Sequence, residues 1–110
     1  MALDQKHCVP CRGDVPALAE SVAVDLLREI GGGWTIVDGH HLSKEFSFKD
    51  FKLALAFVNA VGAIADEEGH HPDVYLTWGK VRLDIWTHAI GGLSESDFIL
   101  AAKCEKVRVA

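Results

Sequence analysis

The feature that most constrains this chain is a run from Phe51 to Ala65 in which Lys52 and Asn59 are the only strongly polar side chains. Ser47-Phe-Lys-Asp50 ahead of it has the Ser-x-x-acid form of a capping box, and Gly69 follows. The pattern therefore predicts a helix that begins near Phe51 and ends at Gly69. A helix that is apolar around most of its circumference has to be covered on more than one side. The expected partners are a sheet on one side and a second copy of the chain on another, which makes a homodimer or homotetramer the expected assembly. The run is not a membrane span: its longest uninterrupted apolar stretch, Leu53–Val58, is far short of the ~20 residues that a bilayer requires.

Around this helix the chain divides into short elements. Leu18, Val22, Leu26 and Ile30 recur at helical spacing, and Gly31-Gly32-Gly33 stops that pattern, so a first helix is expected over 17–30. Trp34–Val37 and His41–Phe46 alternate around Asp38-Gly39, a dipeptide suited to a tight hairpin turn. Pro72 bars further helix after Gly69, and Val74–Trp78 and Val81–His88 alternate around Gly79-Lys80 as a second hairpin. Ser94-Glu-Ser-Asp97 is a second capping box, opening a last helix through about Lys106. The order α-β-β-α-β-β-α has segregated hairpins and no βαβ alternation, which argues for an α+β fold: a four-stranded, mainly antiparallel sheet with helices packed on one face. At 110 residues this is one domain, over 17–110, preceded by a flexible lead-in over 1–16 that carries Pro10, Gly13 and Pro16.

Eleven Lys and Arg stand against 16 Asp and Glu, a formal charge of −5, so no basic footprint for nucleic acid or anionic lipid exists. The first fifteen residues lack a basic start followed by an apolar run, so a cytoplasmic location is expected. Three cysteines, Cys8, Cys11 and Cys104, form an odd set that fits a reducing compartment. Cys8-Val-Pro-Cys11 is half of a zinc site at most, with His7 adjacent and Cys104 distant, and two free thiols are the plainer reading.

Three of the six histidines fall in one region. His70 and His71 lie where the apolar helix hands over to the third strand, and His88 lies at the end of the fourth. A turn at Gly79-Lys80 sets residues near 71–72 opposite residues near 87–88, which brings the three to one rim of the sheet. Along the fourth strand Val81, Leu83, Ile85 and Thr87 share the core side, while Lys80, Arg82, Asp84, Trp86 and His88 share the other. Imidazole, with an ordinary pKa of about 6.5, gives and accepts protons near neutrality, so histidines beside an aromatic wall suit acid–base catalysis. A metal site using Asp66 or Glu67 is the weaker chemistry, because adjacent His70 and His71 project differently and no His-Glu-x-x-His pattern occurs. Asp66, Glu67 and Glu68 read as a solvated acidic run, with Asp66, one turn before His70, placed to orient an imidazole. Gly91-Gly92-Leu93 reads as a plain turn, since it lacks a phosphate-loop pattern.

At these residues the chain closely resembles the pterin-4a-carbinolamine dehydratases. The matching pieces are Phe46-x-Phe48-Lys-Asp-Phe51, Gly69-His70-His71-Pro72-Asp73, Trp78-Gly-Lys-Val81, Thr87-His88 and Gly91-Gly-Leu-Ser-Glu-Ser-Asp97-Phe98. They occur in order and cover roughly Trp34 to Lys103. The resemblance implies dehydration of 4a-hydroxytetrahydropterin, the product released by aromatic amino acid hydroxylases, to quinonoid dihydropterin, with no metal or other cofactor. It assigns His70, His71 and His88 to the active site, His70 and His88 to proton transfer and His71 to pterin binding. Asp66 stands where the family often has a glutamate that supports the first histidine, and Gly69 replaces the aspartate of animal members. Pro72 fixes the corner, Trp86 is expected as one wall of the pterin pocket, and Trp78 as the same wall or as packing. Two other functions follow from the same resemblance: a coactivator-like binding module acting through the apolar helix, as in animal relatives, and activity on a different pterin related to the molybdenum cofactor.

Overall fold

A computed structural model describes residues 2–9 and 16–107. A 3-10 turn over Leu3–Gln5 is followed by α1 (Glu20–Ile30), β1 (Thr35–Val37), β2 (His41–Ser47), α2 (Phe51–Glu68), β3 (Asp73–Leu76) and β4 (Lys80–Ile85). A second 3-10 turn, His88–Ile90, leads into α3 (Glu95–Glu105). The four strands form one antiparallel sheet in the order β1-β2-β4-β3, so the expected α+β class and element order hold.

Register explains the two faces. Leu42 pairs with Ile85, Lys44 with Leu83 and Phe46 with Val81. Leu42, Val81, Leu83 and Ile85 are fully buried on the helix-covered face, in one cluster with Phe57, Val61, Phe98 and Leu100. Glu45, Tyr75, Lys80 and Arg82 are exposed on the opposite face, where Arg82 lies 4.0 Å over the Tyr75 ring. The first hairpin turns at Asp38 and Gly39, which take φ of 53° and 66°, the positive values that favour Asp-Gly.

Several boundaries differ from expectation for identifiable reasons. The first helix begins at Glu20 and not at Ala17. Asp50, not Ser47, caps α2: its carboxylate accepts from Leu53 N at 2.9 Å, and Ser47 is the last residue of β2. The second hairpin turns at Trp78-Gly79, one residue before the expected Gly79-Lys80, because Thr77 N donates to Lys80 O at 2.9 Å; Val81 therefore pairs with Leu76, a displacement of two residues that leaves each side chain on its face. Strand four ends at Ile85, short of His88; Thr87 makes only an isolated bridge to Gly92 before the 3-10 turn. The helix buried nearly all round within the chain is α3, with eight of its residues from Ser96 to Cys104 buried. Helix α2 instead buries one stripe, Ala54, Phe57, Val61 and Ala65, and leaves Phe51 and Leu55 at 44% and 40% exposure.

The lead-in expected as flexible is docked over the part that is described. Leu3 is buried in the core, Lys103 Nζ donates to Asp4 O at 3.1 Å, and Lys6 pairs with Glu95 at 3.1 Å. Cys11 lies outside the described residues, so the Cys8/Cys11 half-site does too. Among the described residues no helix is long and apolar enough to cross a membrane.

Candidate functional site

Helix α2 ends in a left-handed Gly69, φ 64°, with Gly69 N reaching Ala65 O and Asp66 O and His70 N reaching Ala65 O at 3.2 Å. This closing turn satisfies the last carbonyls and reverses the chain. It thereby aims His70 away from its own helix and toward α3. The ring arrives at Asp97: His70 Nε2–H donates to Asp97 Oδ1 at 2.5 Å, with His70 13% exposed and Asp97 fully buried. A carboxylate can only accept here, so Nε2 carries the proton and Nδ1 is the nitrogen left to exchange protons with a ligand.

Asp97 is itself held. Its Oδ2 accepts from Ser94 N at 2.8 Å and from Thr87 Oγ1 at 2.8 Å, and Ser94 Oγ lies 2.7 Å from Thr87 Oγ1. Ser94 and Asp97 are the two halves of the α3 capping box, so one carboxylate both starts a helix and fixes an imidazole. Thr87 is brought in by the strand-four parity that buries Val81, Leu83 and Ile85 on the same side.

On the other side of the rim the Trp86 ring lies 4.3 Å from His88, centroid to centroid, and 5.1 and 5.9 Å from His40 and His41. His71 is exposed, and its Nε2–H donates to Asp66 Oδ1 at 2.9 Å. A cleft of about 230 Å³ is lined by His70, His71, Trp86, Thr87, His88 and Ala89, with Gly69 and Val9 at its margin. It offers three imidazoles and one indole to a small ligand. Among the described residues no cluster of His, Cys, Asp and Glu is arranged to hold a metal ion.

Residues 16–107 match the family described as Pterin 4 alpha carbinolamine dehydratase. The chain belongs to that family. A relative from Alkaliphilus metalliredigens is 45% identical over 104 residues, covering 94% of each chain, and one from Rubrobacter xylanophilus is 47% identical over 105 residues, covering 96% of this chain and 97% of the relative. Both carry the pterin-4-alpha-carbinolamine dehydratase name as an assigned one. A crystal structure from Brucella melitensis, described as a transcriptional coactivator/pterin dehydratase, superposes with a TM-score of 0.76 at 32% identity, covering 81% of this chain and 95% of that one. The enzyme class that goes with the family is hydro-lyase.

Within this dehydratase scaffold the sequence-predicted residues are distributed unevenly. His70, His71, His88 and Trp86 line one cleft, as the rim argument expects. Asp66 supports His71 and not His70, because the Gly69 turn carries His70 across to Asp97. Trp78 is 67% exposed at the tip of the β3–β4 hairpin, at the far end of β4 from the cleft, so within the chain it neither packs nor lines that cleft. Pro72 is half-buried at the start of β3 and outside the cleft lining. Asp97, Thr87 and Ser94 were legible as motif and cap only. The signal that locates them is the second capping box, since its acid had a second oxygen still to satisfy.

The acidic run also divides. Asp66 and Glu67 are exposed, but the Glu68 side chain is only 3% exposed and accepts from Cys8 N at 2.8 Å and His7 Nδ1 at 3.0 Å, with Lys103 Nζ 3.6 Å away. Burial pushes the Glu68 carboxyl up, and the Cys8 N–H, His7 and Lys103 outweigh it, so it titrates below its ordinary value.

Proposed function

We propose that this family member dehydrates 4a-hydroxytetrahydropterin to quinonoid dihydropterin in the cleft between His70 and His88. The observation that carries the reading is that His70, hydrogen-bonded to Asp97, lines one cleft with His88, whose ring lies 4.3 Å from Trp86 at a 47° tilt. The reaction breaks the C4a–O bond, forms the C4a=N5 double bond and is redox-neutral. His88 protonates the departing hydroxyl, which leaves as water, and His70 Nδ1 takes the N5 proton. The Asp97 carboxylate then sits against the imidazolium it has oriented. His71, exposed and steadied by Asp66, binds the pterin, and Trp86 supplies an apolar wall for the flat ring.

The role that follows is tetrahydropterin recycling in the cytoplasm, downstream of an aromatic amino acid hydroxylase. The assembly is a homo-oligomer closed over the outward face of α2, where Phe51 and Leu55 are exposed. That same face supports a second reading, a protein-binding role of the kind the Brucella melitensis description names. A coupled assay with phenylalanine hydroxylase separates the two. Faster tetrahydropterin recycling on adding the protein supports the enzyme, and no acceleration at high protein concentration refutes it.

A further inference from the structure

Residues 2–9 run along α3 and end beside the histidines, and we propose that they form a fixed wall of the cleft, with Val9 as a residue that contacts the bound pterin. The inference rests on the dehydratase reading above and extends it to a segment outside the residues that carry the family motifs.

The segment is fastened at several points. Cys8 N donates to Glu68 Oε1 at 2.8 Å, Cys8 Sγ donates to Ser96 O at 3.3 Å, and Val9 N donates to Ser96 Oγ at 3.1 Å. Ser96 Oγ in turn lies 3.4 Å from Val9 O, so one buried serine holds both backbone groups of Val9. Upstream, the buried Leu3 and the Lys103–Asp4 bond hold the segment's start.

The anchors are placed where the chemistry is. Glu68 is two residues before His70, and Ser96 immediately precedes Asp97, the residue that orients His70. A segment tied to both is positioned relative to the reacting imidazole by the first turn of α3 and the last turn of α2. Val9 is the residue of the segment that borders the cleft, and its side chain is left 69% exposed there. An exposed valine held in place at the margin of an imidazole-lined cleft provides what the histidines do not, an apolar surface. A pterin has polar edges and flat apolar faces; the imidazoles address the edges, and Val9 together with Trp86 addresses the faces. Cys8 acts as a fastener and not as a nucleophile: burial pushes its thiol up to about 11, so at neutral pH it stays a neutral donor to Ser96 O.

The test is steady-state kinetics on 4a-hydroxytetrahydropterin for wild type and Val9→Ala, with the dissociation constant for 7,8-dihydropterin measured alongside. Because Val9 is exposed, the variant folds and its melting temperature stays close to that of wild type. The Michaelis constant and the dissociation constant should both rise about threefold to tenfold, with kcat within about twofold, since two methyl groups of ligand contact are lost and no reacting group is touched. A merely structural role for the segment would lower the melting temperature and leave the dissociation constant in place. An active wild type with both constants unchanged in Val9→Ala overturns this inference alone. A wild type that neither turns over the carbinolamine nor binds the dihydropterin overturns the dehydratase reading, and this inference with it.

Discussion

Replacing Asp97 with asparagine changes one atom type and tests how the site is wired. The buried carboxylate receives His70 Nε2–H at 2.5 Å, Thr87 Oγ1–H at 2.8 Å and Ser94 N–H at 2.8 Å. An asparagine that keeps its oxygen toward Ser94 N and Thr87 turns its NH2 toward His70. His70 Nε2 must then accept, so the ring adopts the other tautomer and Nδ1 carries the proton. Losing the charge-assisted bond costs about 2 kcal/mol, which in a domain of this size lowers the melting temperature by roughly 10 °C. A domain stable by ~5–15 kcal/mol remains folded at 25 °C, so activity and folding are separable. With Nδ1 protonated, His70 cannot take the N5 proton, and kcat should fall by at least about 10²-fold. Nitrogen-15 chemical shifts of His70 report the tautomer directly, beside kcat and the melt. A variant that melts lower, shows the switched tautomer and keeps full kcat would refute the proton-transfer role of His70 and the positioning role of Asp97.

Alanine at His70 or at His88 should each lower kcat by about 10²-fold or more while both variants still melt cooperatively, and His71→Ala should chiefly raise the Michaelis constant; full activity in either of the first two removes that residue from the mechanism. Glu68, held below its ordinary 4.5 in the fold, contributes stability that is present above that value and lost as pH falls through its folded pKa. Melting temperature should therefore drop on acidification below about pH 4.5, and Glu68→Gln should flatten that drop; an unchanged slope contradicts it. Burial pushes the Cys104 thiol up to about 12, so its contribution runs the other way, present below about pH 9 and lost as pH rises toward 12. Cys104→Ala should flatten the alkaline limb of the melt, and a limb of unchanged steepness would show that the thiol carries none of it. Light scattering should find a dimer or larger, and Leu55→Glu on the outer face of α2 should shift it toward monomer; a wild-type monomer at tens of micromolar sinks the assembly proposal.

The fold was readable because each hairpin and helix carries its own local signal: Asp38-Gly39, the glycine triplet, Pro72 and the parity of Val81, Leu83 and Ile85. The rim position of His70, His71 and His88 follows from hairpin pairing, and a turn one residue early leaves it standing: the pairing moves by two residues, each side chain keeps its face, and the three histidines line one cleft. What sequence spacing could not show is direction after a left-handed residue. Asp66 is one helical turn from His70 in sequence, yet Gly69 reverses the chain, so the partner of His70 comes from α3, 27 residues on. The same blindness applied to the N-terminal residues, whose docking depends on the buried Glu68 and Ser96, one a member of an acidic run and the other the interior of a capping box. Composition marks α2 as the more apolar helix, yet within one chain α3 buries more of its residues, because the outer face of α2 has no partner inside the chain.

In the proposed reaction, water leaves the carbinolamine between His70 and His88. Its most direct measurement is stopped-flow absorbance of freshly generated 4a-hydroxytetrahydropterin mixed with wild-type protein and with the His70→Ala/His88→Ala double variant. Wild type should accelerate formation of quinonoid dihydropterin well above the spontaneous rate. The double variant should fall close to that rate, losing less than the product of the single losses because the two groups act as a unit. A wild type no faster than buffer, or a double variant as fast as wild type, contradicts the claim.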